Sequence, residues 1–145
     1  MATRQPYRTF PHRAVPSWQP LADGATASIT DLGGTVIATI SRRSESCAPA
    51  AGAEPMAVVV IAGDIDLDSA PLLERALMPA IAARSCTCLD MRQTGFFGAA
   101  GVHVLLAAHD RASCLGHRVV LRGVHGTTAR VLAVAGLDRL LSAVD

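Results

Sequence analysis

Met56-Ala57-Val58-Val59-Val60-Ile61-Ala62 runs directly into Gly63-Asp64-Ile65-Asp66-Leu67-Asp68-Ser69-Ala70-Pro71-Leu72, and the change of character between the two decides the fold. The first run is apolar without interruption and rich in β-branched side chains, the pattern of a strand buried on both faces. The second leaves the sheet with Asp64, Asp66 and Asp68 at alternate positions. Ser69 offers an N-cap and Pro71 falls in the first turn of a helix. Leu72, Leu73, Ala76, Leu77, Ala80 and Ile81 follow at helical spacing, with Glu74 and Arg75 on the other face. Pro79 is expected to kink this helix late or end it early.

The same alternation continues toward the C-terminus. Cys86 to Asp90 reads as a second buried strand and Val102 to Ser113 as a helix that ends near Gly116. Between them lies Gly95-Phe96-Phe97-Gly98-Ala99-Ala100-Gly101, expected as a glycine-punctuated turn at a helix N-terminus. His117 to Arg122 is a third strand, Thr127 to Ala135 a helix stopped by Gly136, and Leu137 to Leu141 the last element. Strand and helix in alternation predict an α/β domain with a parallel or mixed sheet. Sites in such sheets open at the carboxyl ends of the strands, where both the aspartates and the glycine turn fall.

Upstream, Ala27 to Thr30 and Thr35 to Ile40 read as a hairpin turned by Asp31-Leu32-Gly33-Gly34. Residues 42–55 are rich in Ser, Ala, Pro and Gly and are expected to form a loop. Residues 1–23 hold Pro6, Pro11, Pro16 and Pro20 with Arg4, Arg8 and Arg13, which forbids an amphipathic helix; they are expected to be a flexible N-terminal tail before a domain over 24–145.

Composition removes several function classes. Half of the 145 residues are hydrophobic and 17% are charged, so the chain can fill a core. A formal net charge of +1, with all thirteen basic residues Arg, gives no electrostatic case for direct nucleic-acid or membrane binding. No apolar run reaches the length of a membrane span and no secretory signal opens the chain, so the cytoplasm is the expected location. Cys47, Cys86, Cys88 and Cys114 show no metal spacing, and Cys86 and Cys88 alternate on a strand as small core residues.

No catalytic set converges either. Gly-x-Ser-x-Gly is absent, and the histidines at 103, 109, 117 and 125 read as surface or internally satisfied groups. Asp64, Asp66 and Asp68 lack the glycine turn and terminal Glu of a calcium loop. Gly95-x-x-Gly98-x-x-Gly101 is neither a dinucleotide fingerprint nor a phosphate-binding loop. A binding module is expected, not an enzyme, with no metal and no cofactor.

Three anchors then carry a family resemblance. Gly63-Asp64-Ile65-Asp66 before a helix is similar to the Gly-Glu-Leu-Asp of STAS domains, the bacterial anti-sigma factor antagonists and their relatives. Leu89-Asp90-Met91 leading through Phe96 and Phe97 to Gly98-Ala99-Ala100-Gly101 stands where that family has Asp-Ser-Ser-Gly. Ala135-Gly136-Leu137 is similar to its Thr-Gly-Leu. The resemblance spans roughly residues 25–141 and implies a mixed sheet of about four to five strands with helices mainly on one face.

What the resemblance implies for function is a regulator of sigma-factor-dependent transcription. Its partner would be an anti-sigma factor with a histidine-kinase-like ATPase domain, bound through Asp64, Asp66, Asp68, Phe97, Gly98, Ala99, Ala100, Gly101 and His103. Phosphorylation of a serine in the turn ends such binding in switching members, because about two negative charges are placed in a packed interface. Here Ala99 and Ala100 stand in place of both serines and offer no hydroxyl, with Thr94 as a weak alternative acceptor. Many relatives continue into a last helix after the position of Leu141, so an apolar patch open to a partner or a homodimer is expected there. The alternatives are an accessory subunit of a lipid-transport ATPase and a small-ligand sensor.

Overall fold

The computed structural model describes residues 8–10, 20–46 and 54–144. Within them the chain forms β1 (Arg8–Phe10), β2 (Thr26–Thr30), β3 (Val36–Glu45), β4 (Met56–Ile65), α1 (Ala70–Ala83), β5 (Cys86–Phe97), α2 (Ala99–Leu115), β6 (Arg118–Arg122), α3 (Gly126–Val134), α4 (Leu137–Leu140) and β7 (Ser142–Val144). The strands lie in one mixed sheet in chain order. β1 to β4 are antiparallel neighbours and β4 to β7 are parallel. The expected α/β class, hairpin and strand–helix alternation are all present. Five strands of five residues or more make the body of the sheet, and three-residue strands border it on both sides.

The main core explains why the helices form. Leu73, Leu77 and Ile81 of α1 and Leu105 of α2 are fully buried against Ile61 and Leu89 of the sheet. Leu132 of α3 and Leu137 of α4 join the same cluster, so the four helices share one face. Each such side chain contributes about 1.5–3 kcal/mol on burial. Met56, Val58, Cys88 and Val120 form a smaller cluster on the other face, which is why β4 is apolar without interruption from Met56 to Ala62. The two cysteines keep their expected places, with Cys88 fully buried and Cys86 packed beside it. Burial pushes the Cys88 thiol up to about 11.

The structure corrects four local expectations. Residues 42–45 are strand, not loop: β3 continues through Arg42-Arg43-Ser44-Glu45, paired with Val59 down to Met56. The backbone groups of a ten-residue β4 need partners along their length, and that demand overrides the polar composition. Ser69 takes the N-cap position as expected, but its hydroxyl accepts no hydrogen bond from the first turn of α1. Its backbone is already helical (φ −93°, ψ −20°), and its hydroxyl turns back to the Asp64 carbonyl at 2.8 Å.

Pro79 neither ends α1 nor stops it early, since the helix continues to Ala83. A proline at that position deprives the carbonyl of Arg75 of its helical donor. The backbone N–H of Leu21 donates to that carbonyl at 3.0 Å instead. Leu21 is itself fully buried, and its own carbonyl accepts from the Arg42 guanidinium at 3.1 Å. The packed domain therefore includes a residue assigned above to the tail, and Arg8–Phe10 pairs with β2. The rest of residues 1–19 lies outside the described residues.

Candidate functional site: the groove between the first two long helices

β4 and β5 are parallel neighbours, so their carboxyl ends and the helices that follow them arrive side by side. The expected seven-residue turn does not exist as a loop. Gly95, Phe96 and Phe97 belong to β5, α2 begins at Ala99, and Gly98 alone separates strand from helix. The cause is pairing with β4: Phe97 lies in register with Ile65, and the Gly98 N–H donates to the Ile65 carbonyl at 2.9 Å. The Gly98 carbonyl then accepts from Val102 at 3.1 Å and starts the helix.

Close approach explains two glycines. A Cβ on Gly101 would stand 2.7 Å from Phe97 Cζ and 2.9 Å from Ile65 Cγ2, both in the core. A Cβ on Gly98 would meet the Phe96 ring at 2.8 Å. Phe97 is 2% exposed whereas Phe96 is 60% exposed, so one phenyl ring anchors the junction and the other lies on its surface.

The aspartates fix the neighbouring turn. Asp64 Oδ1 accepts the backbone N–H of Phe96 at 2.8 Å and ties the end of β4 to the end of β5. Asp66 Oδ1 accepts the N–H groups of Asp68 at 2.9 Å and Ser69 at 3.0 Å, together with the Ser69 hydroxyl at 3.1 Å. Asp66 thus holds the turn that leads into α1. Asp64 is exposed, and Asp66 and Asp68 are half-buried.

Between the starts of α1 and α2 the surface opens into a groove of about 460 Å³. Leu67, Ala70 and Pro71 form one wall, and Ala99, Ala100, Val104 and Ala107 the other, with Glu74 and His103 facing the same space. The predicted residues Ala99, Ala100 and His103 therefore come together here, with Gly98 half-buried behind them. Two of the expected partner-binding residues do not reach the surface. Phe97 and Gly101 are buried beneath the junction because the α2 N-terminus packs directly on β5. They lie beneath the junction and do not line the groove.

Thr94 also departs from its expected role as an alternative acceptor. It is 4% exposed, and its hydroxyl is enclosed with no hydrogen-bond partner among the described residues. A kinase has no access to that oxygen in this conformation.

Leu67, Phe96 and Glu74 are the surface residues that sequence reasoning missed. Leu67 is 81% exposed although it sits in the middle of the anchor motif. Its signal was available, as an apolar residue placed between two aspartates ahead of the helical spacing. Phe96 could be told from Phe97 only by the register with β4.

Asp90 with Arg92 and Glu45 with Arg122 form ion pairs away from the groove. Burial pushes the Asp90 carboxyl up, but side-chain and backbone hydrogen bonds from Arg92 outweigh it and hold the group below the usual carboxylate range. The Arg122 side-chain hydrogen bond holds Glu45 low as well. His117 Nδ1 lies 2.7 Å from the Ile81 carbonyl and His125 Nε2 3.1 Å from that of Arg92, so both rings are engaged with backbone oxygens. Among the described residues no three His, Cys, Asp or Glu side chains gather as a metal site. No helix among them is long and apolar enough to cross a membrane.

Residues 50–142 match the family model described as "Mlab, STAS domain". No curated protein sequence matches significantly. Among solved structures, an anti-sigma factor antagonist from Mycobacterium paratuberculosis is 27% identical, with 72% of this chain and 84% of that one aligned at a TM-score of 0.53. The anti-sigma factor antagonist SpoIIAA in its unphosphorylated form aligns over 72% of this chain and 89% of its own length, with a TM-score of 0.57 and 16% identity. The Bacillus cell-fate determinant SpoIIAA in its phosphorylated form covers 72% and 92%, with a TM-score of 0.54 and 16% identity. The last two share the fold. The family match runs from before β4 into β7 and takes in both the aspartate turn and the Gly98 junction; the chain belongs to the STAS-domain family, with an anti-sigma factor antagonist-like fold.

Proposed function

We propose that this protein is a non-enzymatic docking module of the anti-sigma factor antagonist type. It acts in the cytoplasm, binds an anti-sigma factor carrying a histidine-kinase-like ATPase domain, and so frees a sigma factor. The single observation that carries this reading is the groove of about 460 Å³ at the β5–α2 junction, walled by Ala99 and Ala100. A small, apolar, open cleft at the carboxyl ends of parallel strands suits a protein partner.

The same two alanines define the mode of regulation. Neither side chain can form a phosphate ester, and the Thr94 hydroxyl is enclosed. Docking at this site is therefore not reversed by phosphorylation of the junction. The partner's release depends on competition, abundance or a second event elsewhere.

A second reading shares the groove. An accessory subunit of a lipid-transport ATPase would dock permanently on a nucleotide-binding subunit, and alanines at positions 99 and 100 suit a contact that is never switched off. The bound partner separates the two: a soluble ATPase with an anti-sigma function for the first, a membrane transport ATPase for the second.

Affinity capture with the wild type and with Ala100→Asp tests the shared premise. A carboxylate in the groove wall is expected to abolish capture of the main partner, because an unpaired charge is costly in an apolar interface. Unchanged capture would move the docking site elsewhere.

A further inference from the structure

The four helices share one face of the sheet, and a set of arginines gathers on the other. Register places them. Arg43 lies beside Val58, Val58 beside Cys88 and Cys88 beside Val120, one row across four strands. Toward the amino end of β4, Glu45 stands beside Met56, and Arg118 beside Cys86. On the other side of the row, Arg122 stands beside Asp90. Side chains alternate along a strand, so these groups project from the face that carries Met56, Val58, Cys88 and Val120.

Glu45 and Arg122 meet across two intervening strands. Glu45 Oε1 accepts from Arg122 Nη2 at 3.1 Å, and Oε2 accepts from Arg122 Nη1 and Arg43 Nη2 at 3.3 Å each. The contact runs diagonally over the row that holds Val58 and Cys88. Asp90 accepts from Arg92 Nη2 at 2.6 Å and is 3% exposed. Both carboxylates are thus engaged by guanidinium groups, but the guanidinium groups are not used up. The side chains of Arg92 and Arg43 are 61% and 47% exposed. Arg118 is exposed and makes no side-chain ion pair among the described residues. Arg122 Nε is enclosed with no acceptor. At the amino end of the sheet, Glu54 is held by the Ser85 hydroxyl at 2.8 Å. What this face presents to solvent is therefore mainly positive.

We infer that the helix-free face of the sheet is a second docking surface, and that it takes an acidic segment of a partner protein. Charge complementarity selects the occupant: Arg43, Arg92 and Arg118 meet its side-chain carboxylates. The half-buried Val60 and Cys86 give apolar contact between them. This chain supplies no such segment of its own near the face, since residues 1–22 hold arginine and no acid and residues 47–53 hold no charge. Separate carboxylates suit the pattern better than a continuous polyanion. Glu45 and Asp90 stand among the arginines, and a phosphate backbone or an acidic bilayer would lay negative charge over them too. The inference does not rest on the groove, with which this face shares no residue.

Short peptides with identical Leu positions and Glu, Gln or Lys between them test this with the full chain. In fluorescence anisotropy at low salt the Glu peptide should bind at least about tenfold more tightly than the Gln peptide, and the Lys peptide not at all. Added salt should narrow the gap. In an NMR titration the Glu peptide should move the amide signals of Val58, Cys88 and Val120 and leave those of Ala99 and Ala100 in place. Arg118→Gln should weaken the Glu peptide and Arg118→Glu should weaken it further, with the melting temperature unchanged. No binding of the Glu peptide, equal binding of the Glu and Gln peptides, shifts confined to the starts of α1 and α2, or indifference to Arg118→Glu would each overturn the inference. Tighter binding of single-stranded RNA or of phosphatidylglycerol vesicles would overturn it in favour of a polyanion. Self-association of the free chain that Arg118→Glu abolishes would assign the face to a second copy instead.

Discussion

The backbone N–H of Leu21 donates to the carbonyl of Arg75 at 3.0 Å, the carbonyl that Pro79 leaves without a helical donor. Sequence positions more than fifty residues apart thus repair a break that either would leave alone. Leu21 contributes twice, since its side chain is fully buried in the main core. Leu21→Ala is expected to cost about 2–5 kcal/mol, the range for emptying a core leucine site. Urea denaturation should show it. Removing residues 1–23, the span expected as a free tail, should destabilise the domain at least as much, and a truncation without effect would contradict the packing.

The two glycines of the β5–α2 junction should respond differently to a single methyl group. Gly101→Ala drives a Cβ into Phe97 and Ile65, which are held in the core, and about 1–3 kcal/mol is expected for such overpacking. Gly98→Ala meets the Phe96 ring, which is exposed and free to turn away, and its backbone (φ −91°) is open to any residue. Its urea midpoint should stay much closer to the wild type. Equal losses would place Phe96 under a constraint the structure does not show.

Restoring a hydroxyl should restore a switch. Ala99 is the more exposed of the two alanines, at the first position of α2. On the proposed docking function, Ala99→Ser incubated with an anti-sigma factor kinase that captures the wild type, and ATP, is expected to gain one phosphate by intact-mass measurement and then to lose binding to it. The wild type should gain none. A phosphopeptide containing Thr94 from the wild type would show that β5 opens far enough to release that hydroxyl.

Asp90 gives the domain an acid-sensitive element. Its carboxyl is held low by Arg92 against the opposing effect of burial. A carboxyl with a depressed folded-state pKa stabilises the fold above its unfolded-state pKa, and that stability is lost as pH falls through the folded-state value. Arg92→Gln removes the partner, so the acid limb of a melting-temperature profile should shift to higher pH. Comparing melts between about pH 3 and pH 7 tests this, and the shift should vanish in an Asp90→Asn background.

The cysteines should divide by access. Cys114 is exposed at the end of α2, Cys86 is half-buried, and Cys88 is fully buried with its thiol raised to about 11. Among these three, a maleimide followed by peptide mapping should label Cys114 first and Cys86 more slowly. Cys88 should be labelled only when the protein unfolds.

Much of this architecture is legible from residue patterns alone. The apolar run of β4 and the helical spacing from Leu72 to Ile81 declare themselves because local periodicity and tertiary burial agree. The second half of β3 does not, because Arg42-Arg43-Ser44-Glu45 is strand only by virtue of its pairing with β4. The burial of Leu21 has the same origin: one apolar residue after a proline-rich stretch carries no period, and its partner is a carbonyl far away in sequence. At the site, the alanines in the acceptor positions were visible by resemblance. The groove was not, since Leu67 reaches it from the turn before α1 and Glu74 from α1, whereas Ala99 and Ala100 stand on α2. The length of the junction was misread for a physical reason: three glycines suggest slack, whereas all three stand where a Cβ would meet a neighbour, Asp64 for Gly95, Phe96 for Gly98 and Phe97 for Gly101.

That single-residue junction has a consequence for how tightly a partner can be held. With Gly98 alone between β5 and α2, there is no loop to order when something docks. The proposed binding surface is present in advance, so association there would lose little conformational entropy on this side of the interface. A small contact can then be long-lived without being large, and whatever flexibility the complex needs must come from the other molecule.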